Sequence, residues 1–183
     1  MIHIQQTNWI VFTGSPASGK TTVLNIIEKL NYKVIYEAAR ILIDKMLKDG
    51  KKLSEIRGNE IRFQELVLNE KIEIEKSLNP NDIYFMDRAI PDSIAYFKIY
   101  GIDIKKVITD NCKYKYNKVF IFDRLELKKD YARTENYDTS KKLDALLEDA
   151  YSGMGYNVIR VPLFYKDESR SIKKRVNFIL DNI

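Results

Sequence analysis

The chain of 183 residues has a single cysteine, Cys112, and a single histidine, His3. One cysteine excludes an internal disulfide. No histidine lies near Cys112 in sequence to activate it, so it reads as a small core residue rather than a nucleophile. A lone histidine in the N-terminal tail nearly excludes histidine acid–base catalysis and a histidine-rich metal site. Glycine and proline are also sparse, 7 and 4 residues, and no linker, repeat or low-complexity tract interrupts the chain. One domain over residues 1–183 is the expectation, because that length suffices to bury a sizeable core. No apolar run approaches the length of a membrane span. Met1–Thr7 lacks the charged and apolar regions of a signal peptide. These absences predict a cytoplasmic protein with no membrane partner.

What charge there is leans positive, with a formal net charge of +5. A continuous basic face would indicate nucleic acid. Here the lysines are scattered and mostly sit near acids, so no nucleic-acid partner is expected. The excess is assigned to a basic cleft for nucleotide phosphates together with ordinary solvated lysines.

The most specific stretch is Gly14-Ser15-Pro16-Ala17-Ser18-Gly19-Lys20-Thr21-Thr22. It follows the apolar run Trp9–Phe12 and opens the periodic segment Val23, Leu24, Ile26, Ile27 and Leu30. Strand, glycine-rich loop and helix is the context that the phosphate-loop motif G-x-x-x-x-G-K-[ST] requires. Glycines let the backbone curl so that successive N–H groups point inward at phosphate oxygens. The new helix adds its unpaired N–H groups and dipole. Residues Gly14 to Thr22 are therefore assigned to a nucleoside triphosphate, with Lys20 reaching the β- and γ-phosphates and Thr21 holding Mg²⁺.

Apolar periodicity gives alternating strands and helices. Strands are predicted at Trp9–Thr13, Lys33–Tyr36, Ile83–Asp87, Val119–Asp123 and Tyr156–Val161. Helices are predicted at Gly19–Leu30, Ala38–Lys48, Asn59–Leu78, Pro91–Tyr100, Ile104–Tyr114, Lys141–Ser152 and Ser169–Asp181. Near-continuous apolar strands suit a parallel sheet covered on both faces. The fold class is α/β: a three-layer P-loop NTPase fold with a five-stranded parallel sheet, its ligands at the carboxyl ends of the strands. The helix Asn59–Leu78 carries one apolar stripe of Phe63, Leu66, Val67 and Ile74 and an opposite one of Ile61, Leu68 and Ile72, so it is sandwiched between other elements. It either lies over an acceptor site or is a well-packed core helix.

Acids fall where a phosphate loop wants them. Asp87 ends the apolar run Ile83–Met86, the position from which a carboxylate supports Mg²⁺; the other reading is a helix cap. The next residue is Arg88, where many hydrolytic ATPases put a glutamate to orient water. Asp-Arg instead places a guanidinium beside the transferring phosphate. Glu37 ends the second strand. There it can take a proton from an acceptor hydroxyl or merely favour the following helix dipole. The charged, poorly periodic segment 123–137 is a candidate lid that would bring Arg124 or Arg133 onto the phosphates, or else a solvated loop.

Taken in order, these segments resemble the P-loop kinases of small metabolites. More specifically, they resemble the NadR-like family described as "AAA domain", related to ribosylnicotinamide kinases and deoxynucleoside kinases. The resemblance rests on the phosphate loop, Tyr36-Glu37-Ala38-Ala39-Arg40, Phe63-Gln64-Glu65, Met86-Asp87-Arg88-Ala89-Ile90-Pro91-Asp92-Ser93, Asp130 with Arg133, and Gly155–Pro162. It implies a nucleoside- and nucleotide-kinase-like fold. It also implies Glu37 as general base, Asp87 and Arg88 at Mg²⁺ and the reacting groups, Gln64 and Arg40 toward the acceptor, and Arg133 on the phosphates. The Arg-Ser pair of deoxynucleoside kinases is Arg88-Ala89 here, so the serine's role is missing or has moved to Ser93.

The implied activity is transfer of the γ-phosphoryl of ATP to a hydroxyl of a small acceptor, such as a nucleoside or ribosylnicotinamide, by a monomer or homodimer. The alternative is an NTPase or nucleotide-dependent switch with no small acceptor. Guanine specificity is not supported, since Asn117-Lys118-Val119-Phe120 lacks the aspartate of the guanine-reading motif.

Overall fold

The computed structural model describes residues 4–108, 112–124, 137–165 and 167–183. Seven strands and eight helices are described: β1 (Gln5–Gln6), β2 (Ile10–Thr13), α1 (Lys20–Lys29), β3 (Lys33–Ile35), α2 (Ala38–Lys48), α3 (Leu53–Ile56), α4 (Glu60–Ser77), β4 (Tyr84–Asp87), α5 (Asp92–Tyr100), α6 (Lys105–Ile108), β5 (Tyr114–Lys115), β6 (Lys118–Phe122), α7 (Tyr137–Gly153), β7 (Val158–Val161) and α8 (Glu168–Leu180). The five-stranded parallel sheet has the order β3-β4-β2-β6-β7. The fold class is the expected one, and each of its five predicted strands is present, four with slightly tighter ends and the one predicted at Val119–Asp123 shifted one residue earlier.

Alternation along the strands divides the core in two. Ile10, Phe12, Phe85, Phe120, Phe122 and Val161 pack against Val23, Leu24 and Ile27 of α1 and Ile172, Val176 and Ile179 of α8. Val11, Met86 and Val119 point the other way, toward Tyr151 of α7. Ile121 meets Ala95 of α5 and Leu143 and Leu147 of α7. Each fully buried large apolar side chain is worth about 1.5–3 kcal/mol, which is why the short strands hold.

The helix Asn59–Leu78 is indeed sandwiched, as α4. Its Phe63 and Val67 pack with Leu42, Ile43 and Ile56, and its Leu68 and Ile72 with Ile90, Ile94 and Phe97. Between those stripes runs a buried polar line of Gln64, Lys71 and Glu75. Ile61 is exposed instead of buried.

The predicted helix Ile104–Tyr114 needs correction. Among the described residues its helical part is Lys105–Ile108, and Tyr114 lies in β5. That strand pairs with Gln5 and Gln6 of β1. A partner more than a hundred residues away by sequence, unreadable from local periodicity, draws Tyr114 out of the helix. The helix predicted from Lys141 starts earlier, at Tyr137.

Register sets the site. Phe12 pairs with Asp87, and Thr13 with Ile121. Ile35 pairs with Met86, so Glu37 and Arg88, each two residues further on, leave the sheet at one level beside the loop that follows Thr13.

Candidate active site at the strand ends

The loop after β2 curls through left-handed positions at Gly14 (φ 125°), Ala17 (φ 59°) and Gly19 (φ 85°). Gly14 is obligatory for a second reason: a Cβ there would sit 2.7 Å from the Phe122 carbonyl oxygen. Gly19 is the N-cap of α1 and makes no side-chain cap, which leaves the helix's first N–H groups facing the loop. Lys20 is buried, and its Nζ donates to the carbonyls of Gly14 and Ser15 and to Ser18 Oγ, each at 3.0 Å. The ammonium thus fills the cradle that phosphate oxygens require. Pro16 is buried and Thr22 exposed. Asp144 of α7 accepts from the Ser15 N–H at 3.2 Å and braces the loop's outer side.

Thr21 Oγ1 donates to Asp87 Oδ2 at 2.9 Å, joining the two residues expected at the metal. Asp87 Oδ1 is buried and has no hydrogen-bond partner among the described residues. A buried carboxylate oxygen without a donor calls for a cation. Burial, and then Glu37, push the Asp87 carboxyl above the usual carboxylate range, against the pull of Lys20 and Arg88. The donor set of hydroxyl and carboxylate suits Mg²⁺, which takes few protein oxygens and keeps phosphate and water ligands.

Beside it, Glu37 Oε1 accepts from Arg88 Nε at 2.9 Å. The Arg88 side chain is 3% exposed and that of Glu37 is 21% exposed, so the pair reaches from the interior to the cleft. Arg88 adopts φ 70°, a strained conformation for a non-glycine residue. Its N–H is tied to the Phe12 carbonyl at 2.9 Å. Its Nη1 donates to Asp92 Oδ1 at 2.9 Å, and Tyr96 presents its ring 5.5 Å away. Burial alone would lower the Arg88 pKa, but Tyr96, Glu37 and Asp92 more than offset it and keep the guanidinium charged.

Asp92, fully buried, accepts from Thr13 Oγ1 at 2.8 Å, from the Ala89 N–H at 3.0 Å, and from the Tyr151 hydroxyl. Burial opposes its ionisation, but Arg88 and Lys71, with those hydrogen bonds, hold its carboxyl below the ordinary range. One carboxylate therefore links the end of β2, Arg88 and α7. Behind it, Lys71 Nζ donates to Ser93 Oγ at 3.1 Å, and Glu75 Oε1 accepts from the Ile90 N–H at 3.1 Å and the Tyr116 hydroxyl at 2.8 Å.

The other predicted residues divide. Gln64 is buried on the inward side of α4, and Arg40 is half-buried in the first turn of α2. Arg124 is half-buried just after β6. Residues 125–136 of the candidate lid, Asp130 and Arg133 among them, lie outside the described residues. Burial pushes the Cys112 thiol up to about 12, consistent with its reading as packing. Asp92, Lys71 and Glu75 were not singled out as site residues in the sequence. An aspartate at a helix start reads as a cap, and only the sheet reveals Thr13 as its partner. Among the described residues no helix is long and apolar enough to cross a membrane.

Comparison with known proteins bears on the fold. No curated protein matches by sequence. Thymidylate kinase from Ehrlichia chaffeensis superposes with TM-score 0.68 at 18% identity, over 97% of this chain and 98% of that one. Deoxyadenosine kinase from M. mycoides superposes with TM-score 0.63 at 14% identity, over 95% and 97%. NadR in complex with NR superposes with TM-score 0.65 at 13% identity, over 96% of this chain and 49% of that one, so the chain spans about half of NadR. At these identities the likeness is one of fold. The family model described as AAA domain matches residues 9–169. That span takes in the phosphate loop, Glu37, Asp87 and Arg88, and the chain belongs to the AAA domain family.

Proposed function

We propose that this protein is an ATP- and Mg²⁺-dependent kinase that moves the γ-phosphoryl group to a hydroxyl of a small acceptor, a nucleoside or ribosylnicotinamide among them. The observation that carries this reading is the Glu37–Arg88 pair beside the phosphate loop. A hydrolase needs a residue to orient water. Here the residue after Asp87 is an arginine that turns back onto a carboxylate. The names of the similar folds, thymidylate kinase, deoxyadenosine kinase and NadR bound to NR, support the same class.

Catalysis in this reading is positioning and charge stabilisation. The loop N–H groups and Lys20 bind the β- and γ-phosphates. Thr21 and Asp87 would hold Mg²⁺, which would supply charge neutralisation at the phosphates. The acceptor oxygen forms its bond to the γ-phosphorus as the bond to the β–γ bridging oxygen breaks. Glu37 receives the hydroxyl proton, and ADP departs with the electron pair. Arg88, locked by Asp92, orients Glu37 and faces the charge that builds on the transferring group. Arg40 and Gln64 bind the acceptor, and Arg133 adds charge at the phosphates.

The test is a panel of nucleosides, ribosylnicotinamide and sugars, each incubated with protein, ATP and Mg²⁺. At least one acceptor should raise ADP release above the acceptor-free rate and yield its phosphorylated product. ADP release that is substantial but identical with and without every acceptor would move the assignment to an NTPase.

A further inference from the structure

Arg175 is fully buried on α8, far in sequence from the motifs that mark the site. Its three hydrogen bonds run from one planar group to main-chain carbonyls of three different loops. Nη1 donates to Ser18 at 2.6 Å, Nη2 to Asp123 at 2.9 Å and Nε to Pro162 at 2.9 Å. The guanidinium also lies 5.5 Å from the Phe122 ring centroid. Burying a cation on neutral carbonyls is costly, and burial lowers the Arg175 pKa accordingly. A neutral side chain of similar size would pack α8 without that cost. What the guanidinium adds is a rigid fork that holds three separate carbonyls in one plane.

The carbonyl at Ser18 is the informative one. It belongs to the peptide that joins Ser18 to Gly19, in the tightest part of the phosphate loop. That peptide is trans, so its C=O and N–H point in opposite directions. With the Ser18 oxygen drawn toward α8, the Gly19 N–H is aimed away from α8 and into the loop, where Lys20 Nζ meets the Gly14 and Ser15 carbonyls. Gly19 at φ 85° has no side chain to resist rotation of this peptide, so the orientation must be imposed from outside.

We propose that Arg175 is a positioning residue for the phosphate loop: by holding the Ser18 carbonyl it presents the Gly19 N–H to the phosphates of a bound nucleotide. It thereby sets nucleotide affinity from a helix outside the phosphate loop. This rests on the phosphate loop alone and is independent of whether an acceptor is phosphorylated.

ADP binding by calorimetry tests it without any turnover, at a temperature well below melting. Arg175→Lys keeps the charge but loses the fork, and should weaken ADP binding about tenfold or more. Val176→Ala, the neighbouring core change on α8, should lower the melting temperature yet leave ADP affinity within about twofold. Wild-type affinity in folded Arg175→Lys overturns the proposal, as does an equal loss of affinity in Val176→Ala. If Arg175→Lys does not fold, the wild-type protein still decides. Coupling is reciprocal, so ADP must slow solvent exchange of the Arg175 Nη1 protons, which bond the Ser18 carbonyl. An exchange rate unchanged by saturating ADP overturns the proposal.

Discussion

Glu37 and Arg88 leave neighbouring strands at one level and meet at 2.9 Å, with Arg88 held on its other side by Asp92. The pair gives the carboxylate a fixed orientation at the cleft, which a solvated helix-start glutamate would lack. Glu37→Gln should therefore cut acceptor phosphorylation by about a hundredfold or more, the usual size of a general-base contribution. Binding of Mg²⁺–ATP should stay within about twofold, because Lys20, Thr21 and Asp87 are untouched. Steady-state rates with the best acceptor, alongside calorimetry with a non-hydrolysable analogue, separate the two effects.

Lys20→Ala should lose turnover and weaken triphosphate binding at least tenfold, since a buried ammonium at the cradle is removed. Titration with ATP checks the affinity directly. ATP affinity equal to wild type would remove the phosphate-loop assignment.

Asp87→Asn separates function from folding. The Asp87 carboxyl is raised in the folded state by burial and Glu37. A raised carboxyl contributes stability below its unfolded value and loses it as pH rises through the folded one. Carrying a charge at this buried position is thus a cost that asparagine relieves. The variant should melt at or above the wild-type temperature while losing Mg²⁺-dependent activity. A lower melting temperature would identify Asp87 as a structural cap.

Stability should also follow pH through the line behind the site. Burial raises Glu75 from 4.5 to about 7 and lowers Lys71 from 10.5 to about 8. Between pH 4.5 and 7 the folded state holds more protons than the unfolded one at Glu75, so stability falls as pH rises. Between pH 8 and 10.5 the unfolded state holds more protons at Lys71, so that contribution rises with pH. Urea unfolding at stepped pH should show the acidic slope flatten in Glu75→Gln and the alkaline slope flatten in Lys71→Met. Slopes unchanged in both variants would reject the assignment.

Much of this was readable from the chain because it is local. The phosphate loop sits in nine consecutive residues, and Glu37 and Asp87 each end an apolar run that marks a strand. The two stripes of α4 predicted its sandwiched place. What was unreadable depends on distant partners. Asp92 meets Thr13 across 79 positions and Arg175 meets Ser18 across 157, and no spacing rule connects them. Lys71 and Glu75 were hidden differently: a helix reading assigns charged residues to the solvent face, and their burial depends on Ser93, Ile90 and Tyr116. Tyr114 was misplaced for the same reason, because its strand exists only through Gln5.

The buried charges have a consequence for how this protein can vary. Arg88, Asp92, Lys71 and Glu75 share one interior, each at most 5% exposed. Loss of a single member strands its partners as uncompensated charges, whereas replacing a whole buried set with apolar groups can be neutral or favourable. Descendants of this sequence should therefore keep the four together or exchange them as a block. A library that varies them one at a time would find mostly destabilised proteins, while one that varies them jointly would recover stable proteins with a different interior.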